Sequence, residues 1–385
     1  MRLPTIQYVE RPGTVDLGWG HPLPAALPVQ LWRACQEDAL RRYSWQALTY
    51  GYACGPAPLI EWLCERLGNT DARPPAPDEV FVTAGASQAI ELVSTLLTRP
   101  GDCVVVDSPT YHLALRILAD RDVELVAAPA DEAGLDPRAT GDVLRRLIAK
   151  GRRVPLLYLV PTFANPTGRS LPAVRRRELV EVARDAGTVI VEDDAYRELA
   201  YDGAAPPSLW SMASGRGVIR VGSFSKTVGP GLRLGWITAE PRVVRTLAGR
   251  GFVDSGGGLN HAVALTMAVM GSSGGYDAHV RAIQAVYRAQ RDALVAALHA
   301  ELPGVEVTVP LGGWFLWLPL PGGISATGLL AAAERHSVSF LPGALFHPQP
   351  ARDDHFRLSF SLYEPAELAE AARRLGRAYA EMRRT

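Results

Sequence analysis

The stretch SFSKTVGPGLRLG, residues 223–235, follows an apolar run at residues 218–221 that predicts a β-strand. Its serines, lysine and arginine therefore emerge at a strand end. The Gly-Pro-Gly turn within the stretch can bring the arginine back beside the serines. Two hydroxyls and a guanidinium suit a phosphate dianion, and Lys226 can condense with an aldehyde on the same ligand. The alternative is a solvated loop with incidental polar residues. The candidate phosphate ligands are Ser223, Ser225 and Arg233.

The use of lysine singles out one residue of this stretch. Of the 40 basic residues, only Lys150 and Lys226 are lysine. A sequence so biased toward arginine keeps lysine where arginine cannot substitute, because arginine stays protonated and forms no imine. Lys150 ends a helical pattern, where a cation suits the helix dipole. Lys226 needs a chemical explanation.

Composition indicates a globular chain with a substantial core. The 385 residues are 48% apolar and 21% charged, and 40 acidic residues balance the 40 basic ones. This balance argues against nucleic-acid binding through bulk positive charge. No apolar run approaches the roughly 18 residues of a membrane helix, and the first residues lack the apolar stretch of a signal peptide. We expect a cytoplasmic protein that binds neither nucleic acid nor membrane. The four cysteines predict no metal site.

The apolar pattern predicts an α/β fold. From about residue 78 to residue 237, near-continuous apolar strands alternate with helical patterns, which indicates a mostly parallel sheet covered on both faces. The predicted strands of this sheet are 80–83, 103–106, 123–126, 156–160, 188–191, 218–221 and 234–238. After residue 275 the pattern changes to a long helix and the short strands 305–309, 314–318, 338–341 and 356–360. We expect a large domain over residues 46–275 and a smaller α+β domain built from residues 1–45 and 276–385.

Further polar residues follow the predicted strands. In EDD, residues 192–194, carboxylates at a buried strand end are costly unless one has a cationic partner such as a protonated ring nitrogen. Capping of the next turn by Asp193 is the alternative. At residues 83–89 a strand, a glycine turn and a helix start leave backbone N–H groups free for an anion. Ser87 is equally placed to cap that helix.

Strand periodicity also selects Arg357. In FRLSFS, residues 356–361, alternation places Arg357, Ser359 and Ser361 on the polar face. A lone arginine on such a face is usually only solvated.

These motifs, in this order, resemble the class I/II aminotransferases among the fold type I pyridoxal-phosphate (PLP) enzymes, and most closely the 2-aminoadipate and aromatic aminotransferase branch. The stretch 223–235 resembles the family signature S-x-S-K…PG-x-R-x-G. Residues 193–196 resemble its D-x-x-Y, residues 165–168 its N-P-T-G and residues 357–360 its R-L-S-F. The resemblance spans nearly the whole chain. It implies the fold type I PLP-transferase fold, a seven-stranded large-domain sheet and pyridoxal 5'-phosphate as cofactor.

The resemblance also implies how the cofactor is bound. Lys226 forms the Schiff base with PLP and afterwards moves the substrate α-proton. Asp193 pairs with the pyridine nitrogen, and Tyr111 stacks on the ring. Tyr196 and Asn165 hydrogen-bond the phenolic oxygen. The residues that hold the phosphate are Ala86, Ser87, Ser223, Ser225 and Arg233.

Substrate and subunit contacts are implied in the same way. Arg357 binds the substrate α-carboxylate with help from Asn165, and Gly20 lies on the substrate side. Tyr50 reaches the phosphate of the neighbouring subunit, which implies a homodimer with shared active sites. The glycine loop 256–258 lies near the expected site, and there His261 fits either a pocket residue or a helix start.

The resemblance implies transfer of an amino group from an L-amino acid to a 2-oxo acid by a ping-pong mechanism. The alternative is another PLP-dependent reaction on an amino acid, such as side-chain replacement, cyclisation or decarboxylation, because such reactions need the same lysine and phosphate site. A ligand-sensing transcription regulator is disfavoured, since the charge is balanced and the resemblance begins near Leu17.

Overall fold

The structure is a computed structural model that describes residue 7, residues 11–349 and residues 353–384. Its strands in chain order are β1 (Val15–Asp16), β2 (Val80–Thr83), β3 (Cys103–Asp107), β4 (Glu124–Ala128), β5 (Ala130–Asp131), β6 (Gly134–Leu135), β7 (Leu156–Leu159), β8 (Val189–Asp193), β9 (Val218–Ser223), β10 (Gly235–Thr238), β11 (Phe315–Pro319), β12 (Val338–Ser339), β13 (Leu341–Pro342) and β14 (His355–Ser359). Its α-helices are α1 (Val29–Tyr43), α2 (Ala57–Thr70), α3 (Ala86–Leu97), α4 (His112–Ala119), α5 (Pro137–Ala149), α6 (Ala173–Asp185), α7 (Leu209–Met212), α8 (Pro241–Ala248), α9 (Gly251–Gly256), α10 (His261–Ser272), α11 (Gly275–Glu301), α12 (Ala326–Arg335) and α13 (Pro365–Met382).

The predicted seven-stranded sheet is confirmed. Its strand order is β2-β10-β9-β8-β7-β3-β4. Strand β10 pairs antiparallel with both of its neighbours, whereas the pairs from β9 to β4 are parallel. The carboxyl ends of the other six strands therefore meet at one edge, where ligands collect in sheets of this kind.

Apolar residues on both faces explain why these segments form buried strands. In β3, Val104 and Val106 pack into a core that includes residues of α3 and α4. The alternate residues Cys103 and Val105 pack into a core on the other face, with residues of α5 and α6. Strand β3 thus carries helices on both faces, which is the arrangement that favours parallel pairing.

A second, smaller unit has its own core. Strands β11, β14 and β13 form an antiparallel sheet in that order. Residues of α11, α12 and α13 pack on it together with Leu17 and Leu23 from the N-terminal segment. Strand β1 also pairs with β12, so the N-terminal segment joins the C-terminal one. The boundaries of the two domains stay a prediction.

One predicted strand is wrong. Residues 305–309 are not in a β-ladder, although their valines alternate as in a strand. Val305 is buried, but Val309 is 43% exposed. The pattern fails because alternation forms a strand only where a neighbouring strand offers its backbone groups.

None of the helices in the described ranges is both long and apolar enough to cross a membrane. The cytoplasmic location stays a prediction.

Candidate active site

A cavity of about 660 Å³ opens at the carboxyl edge of the large sheet. Most residues proposed from the sequence line it, although they come from segments far apart in the chain. The predicted residues in its lining are Gly20, Ala86, Ser87, Tyr111, Asn165, Asp193, Tyr196, Ser223, Ser225, Lys226, Arg233 and Arg357.

One end of the cavity has the character of an anion site. Helix α3 begins at Ala86, so the N–H groups of its first turn lie in the wall. The guanidinium of Arg233 lies against the same turn and donates to the carbonyl of Ala84 at 3.2 Å. A Cβ on Gly85, which has φ +89°, would lie 2.9 Å from Arg233 Nη2, so glycine lets the arginine approach. The end of β9 adds the hydroxyl of Ser223, which accepts from Ser225 N at 3.1 Å.

Lys226 lines the cavity. Its Nζ is 3.4 Å from the carbonyl of Gly20 and 4.8 Å from the ring centroid of Trp314. Burial lowers the pKa of Lys226 to about 8, and the positive charges of Arg357 and Arg233 act in the same direction. The amine is therefore neutral, and nucleophilic, in a much larger fraction than an ordinary lysine at the same pH.

A buried carboxylate, that of Asp193, also lines the cavity. Asp193 accepts a hydrogen bond from the hydroxyl of Tyr158 at 2.8 Å and one from Ala195 N at 3.4 Å. Burial raises the pKa of Asp193 to about 6, although the bond from Tyr158 opposes this. Sequence reasoning missed Tyr158, for which the available signal was a phenol in an otherwise apolar buried strand, since such a hydroxyl needs a partner.

The adjacent Asp194 serves a different purpose. It lies in a buried ion cluster, where it accepts from Arg197 and, at 2.8 Å, from Arg220. Arg220 also pairs with Asp71 at 3.0 Å. Burial raises the pKa of Asp194, but the two arginines outweigh this effect and hold it below its ordinary value. Of the two neighbouring acids, the described structure therefore places only Asp193 in the cavity.

The cavity lining also contains a buried arginine, Arg357. Arg357 donates through Nη1 to Oδ1 of Asn165 at 2.7 Å and through Nη2 to the carbonyl of Gly18. Its guanidinium carbon lies 4.2 Å from the ring centroid of Phe315 and 4.9 Å from that of Phe346. Burial lowers the pKa of Arg357 to about 10, which leaves it cationic at neutral pH. Its Nε is buried and has no partner among the described residues, so it retains a free donor.

The glycine loop near the N-terminus contacts both cations. The prediction concerned Gly20, whose carbonyl lies against Lys226. Sequence reasoning missed Gly18, whose carbonyl accepts from Arg357. A Cβ on Gly20 would lie 2.7 Å from the ring of Phe315, so a larger residue could not stay in this position.

Two aromatic residues of the prediction complete the lining. Tyr111 is the residue immediately before α4. Tyr196 is buried and packs edge-to-face against Trp314 and Phe315, with ring centroids 6.0 and 5.7 Å apart.

Two histidines in the lining were not predicted. Burial lowers the pKa of His21 to about 4, and the nearby charge of Lys226 adds to this. Burial likewise lowers the pKa of His112 to about 3, with a contribution from Arg357. Both imidazoles are therefore neutral at physiological pH.

Two residues of interest lie elsewhere. Tyr50 is 81% exposed and, within the described chain, lies outside the cavity lining. His261 begins α10, and its Nε2 lies 3.0 Å from the carbonyl of Gln46, which fits the helix-start interpretation.

The glycine loop 256–258 packs closely on a neighbouring segment. A Cβ on Gly257 would meet the carbonyl of Gly51, and a Cβ on Gly258 would meet the carbonyl of Tyr52. The loop therefore packs on the segment that carries Tyr50.

Comparison with known proteins gives a consistent result. Residues 15–375 match the family model for aminotransferase class I and II. The chain is 34% identical to aromatic-amino-acid aminotransferase 1 of Thermococcus litoralis, over 96% of this chain and 89% of the relative. It is also 34% identical to the 2-aminoadipate transaminase of Thermus thermophilus, over 97% of this chain and 92% of the relative.

A solved structure extends the similarity to three dimensions. The multiple substrate aminotransferase of Thermococcus profundus superposes with a TM-score of 0.91 at 31% identity, covering 97% of this chain and 93% of that one. The resemblance inferred from the motifs is thereby confirmed. The chain belongs to the class I and II aminotransferases and is a PLP-dependent transaminase of fold type I.

Proposed function

We propose that the cavity binds pyridoxal 5'-phosphate and an L-amino acid together, with Lys226 at the reacting atoms. The observation that carries this assignment is the position of the Lys226 amine. It lies among the cavity residues with a lowered pKa, and the charges of both Asp193 and Arg357 act on it.

The residues present fit the cofactor. The start of α3, Ser223, Ser225 and Arg233 supply donors for a phosphate dianion. Asp193 supplies a carboxylate for a protonated ring nitrogen, and Tyr111 supplies an aromatic face. Asn165 and Tyr196 supply polar groups for the phenolic oxygen. When bound, PLP supplies a reactive carbonyl carbon and a ring that takes up negative charge from the substrate α-carbon.

The chain's own groups then bind the substrate and move its proton. Arg357 binds the α-carboxylate, because its planar fork matches two carboxylate oxygens and each Nη carries a second N–H beside the one that Asn165 or Gly18 accepts. The bonds to Asn165 and Gly18 fix the plane of that fork. Lys226 Nζ accepts the α-proton, since a base with a pKa near 8 combines a substantial neutral fraction with adequate basicity.

For the substrate side chain we propose an uncharged, predominantly aromatic class. The cavity wall includes Trp19, Ile90, Leu113 and Phe315 together with the two neutral histidines. Its only cations in the described ranges are Lys226, Arg233 and Arg357, which already have roles. The named relatives include enzymes for aromatic amino acids and for 2-aminoadipate, so a donor panel must contain both classes.

We further propose a homodimer in which Tyr50 of one subunit reaches the phosphate site of the other. Tyr50 lies in an exposed apolar segment with Trp45, Leu48 and Tyr52, each of them at least 70% exposed. Such a patch is typical of a surface covered by a partner. A sedimentation measurement tests the dimer, and Tyr50→Phe tests the contact through the dissociation constant for PLP.

The domain division at residues 46–275 is also a proposal. It is supported by the shared core of the N-terminal and C-terminal segments. Residues 1–6, 8–10, 350–352 and 385 of the predicted small domain lie outside the described residues.

The deciding experiment follows the half-reaction. The PLP-loaded protein is mixed with one amino acid and no 2-oxo acid, using L-phenylalanine, L-tyrosine, L-2-aminoadipate and L-alanine in turn. We expect stoichiometric conversion of bound cofactor to pyridoxamine phosphate with the aromatic donors and no conversion by Lys226→Ala. Release of carbon dioxide, or conversion that does not need Lys226, would contradict the proposal.

A further inference from the structure

A short segment outside the cavity joins the two units of the fold. Residues 346–349, here called the strap, follow β13 and cross to the β3–β4 side of the large sheet. Thr110 N donates to the carbonyl of Phe346 at 2.8 Å. The next residue, His347, places Nδ1 2.7 Å from the hydroxyl of Ser108.

The strap ends on the open edge of the large sheet. Gln349 accepts from Ala127 N at 3.2 Å and donates through Nε2 to the carbonyl of Leu125. These two backbone groups lie two residues apart on β4, the last strand of the sheet. The side-chain amide of Gln349 therefore bonds to β4 as the backbone of one further strand would.

The first residue of the strap forms part of the surroundings of Arg357. The ring of Phe346 lies 4.9 Å from the guanidinium carbon of Arg357. It also packs edge-to-face against His112 at 5.0 Å and Trp317 at 5.6 Å. Phe346 and Phe315 are thus the two aromatic rings that contact this guanidinium in the described structure.

The strap itself does not line the cavity in the part of the chain that the structure describes. Any effect on the reaction must therefore pass through the residues it touches. A planar guanidinium is held by stacking as well as by hydrogen bonds, so displacement of Phe346 changes the position of Arg357.

We infer that the strap is a positioning element for the substrate-carboxylate site, in which His347 and Gln349 fix Arg357 through Phe346. The inference rests on the proposed role of Arg357. It assigns a function to Ser108, His347 and Gln349, none of which lines the cavity in the described structure.

The test uses steady-state kinetics of the PLP-loaded protein with L-phenylalanine and with L-2-aminoadipate. His347→Ala and Gln349→Ala each remove a strap anchor, and we expect KM to rise about three- to tenfold, the usual effect of one lost hydrogen bond. We expect kcat to stay within about twofold. The rise should be equal for both donors, because they share the α-carboxylate and differ in the side chain.

Four further variants separate a positioning effect from general damage to the protein. His347→Asn keeps a polar atom near the position of Nδ1 and should restore KM. Ser108→Ala removes the other partner of the hydrogen bond to His347. The double variant Ser108→Ala/His347→Ala should therefore raise KM no further than either single variant does. The control is His299→Ala, an exposed histidine on α11, which should leave KM unchanged.

The outcomes separate the strap from the proposed function. Unchanged KM in the strap variants, together with a raised KM in Arg357→Lys, overturns the inference alone. Unchanged KM in Arg357→Lys overturns the proposed carboxylate site. A rise confined to one donor also contradicts the inference, since it indicates a side-chain effect. Where His347→Ala fails to fold, Ser108→Ala decides, because it breaks the same bond with a smaller change.

Discussion

Tyr158 donates a hydrogen bond of 2.8 Å to Oδ2 of Asp193, and both side chains are buried at the carboxyl end of the sheet. The register of β7 and β8, in which Tyr158 lies opposite Val191, determines this pairing. The bond favours the ionised carboxylate against the cost of its burial. With a pKa of about 6, Asp193 is mostly ionised at neutral pH, which is the state that attracts a protonated ring nitrogen.

Removal of this hydroxyl should therefore weaken catalysis at low pH. In Tyr158→Phe the pKa of Asp193 rises, because the lost hydrogen bond lowered it. Activity requires ionised Asp193, so the acid limb of the pH profile should move to a higher pH than in the unchanged enzyme. A lost hydrogen bond to a charged group raises the pKa by about one to two units, so kcat at pH 7 should fall about two- to tenfold. The measurement is kcat for L-phenylalanine from pH 5 to pH 9. An acid limb that does not move contradicts the assignment. The control is Tyr379→Phe, which removes the hydroxyl of a buried tyrosine of α13 that lies outside the described lining of the cavity.

Replacement by asparagine should lower the stability of the protein at Asp194 but not at Asp193. Asp194→Asn leaves Arg197 and Arg220 without their shared carboxylate and should destabilise the cofactor-free protein by about 3–5 kcal/mol. Asp193→Asn should not destabilise it at pH 7.5. The pKa of Asp193 in the folded protein lies above the ordinary value of an aspartate. Ionisation of Asp193 therefore lowers the stability of the folded state at any pH above that ordinary value, and the neutral asparagine avoids this cost.

The test compares, for both variants, the urea concentration at which half of the protein is unfolded (the midpoint) and the catalytic activity. Asp193→Asn should keep the midpoint and lose activity, whereas Asp194→Asn should lower the midpoint. A lower midpoint for Asp193→Asn than for Asp194→Asn would show that the roles of the two acids are reversed.

Arg357→Lys tests the carboxylate site. Lysine keeps the positive charge but loses the planar fork, so the α-carboxylate loses one of its two hydrogen bonds. We expect KM for amino donors to rise roughly tenfold or more, the scale of a hydrogen bond between charged groups. Arg373→Lys changes an exposed arginine paired with Glu370 and serves as the control. Equal KM values in the two variants would refute the role of Arg357.

The lowered pKa of Lys226 predicts how the cofactor-free protein takes up PLP. Only the neutral amine attacks the aldehyde, so the rate of uptake should rise with pH up to about 8 and then level off. A free lysine analogue such as Nα-acetyl-lysine continues to gain neutral amine up to its ordinary pKa of about 10.4. Stopped-flow absorbance of both reactions gives the comparison. Parallel profiles would mean that the site leaves the pKa of Lys226 unchanged.

Most of the fold was predictable because its strands are apolar on both faces. Residues 103–106 and 218–221 are identifiable as buried strands from their own sequence. Residues 305–309 have a comparable local pattern, but strand formation depends on a neighbour that no local pattern reveals. Pairing is a property of the assembled sheet.

For the site, too, local features were predictable from the sequence and long-range contacts were not. The motifs around Lys226 and Arg357 are local and were found, whereas the contributions of Tyr158 and Gly18 depend on partners 35 and 339 residues away in the chain. The ambiguity between Asp193 and Asp194 was likewise local. The structure resolves it through Arg220, which lies on the neighbouring strand β9 and forms an ion pair with Asp194.

The anchoring of Gln349 has a consequence for aggregation through the edges of the large sheet. At one edge of the large sheet, the side-chain amide of Gln349 forms hydrogen bonds with the N–H of Ala127 and the carbonyl of Leu125. At the other border, Val82 N of β2 already donates to the carbonyl of Cys54 at 2.8 Å. Unsatisfied border strands act as templates for the backbone of another molecule. At these positions neither border offers such a template, so growth of fibrils by strand addition is blocked there in the native state.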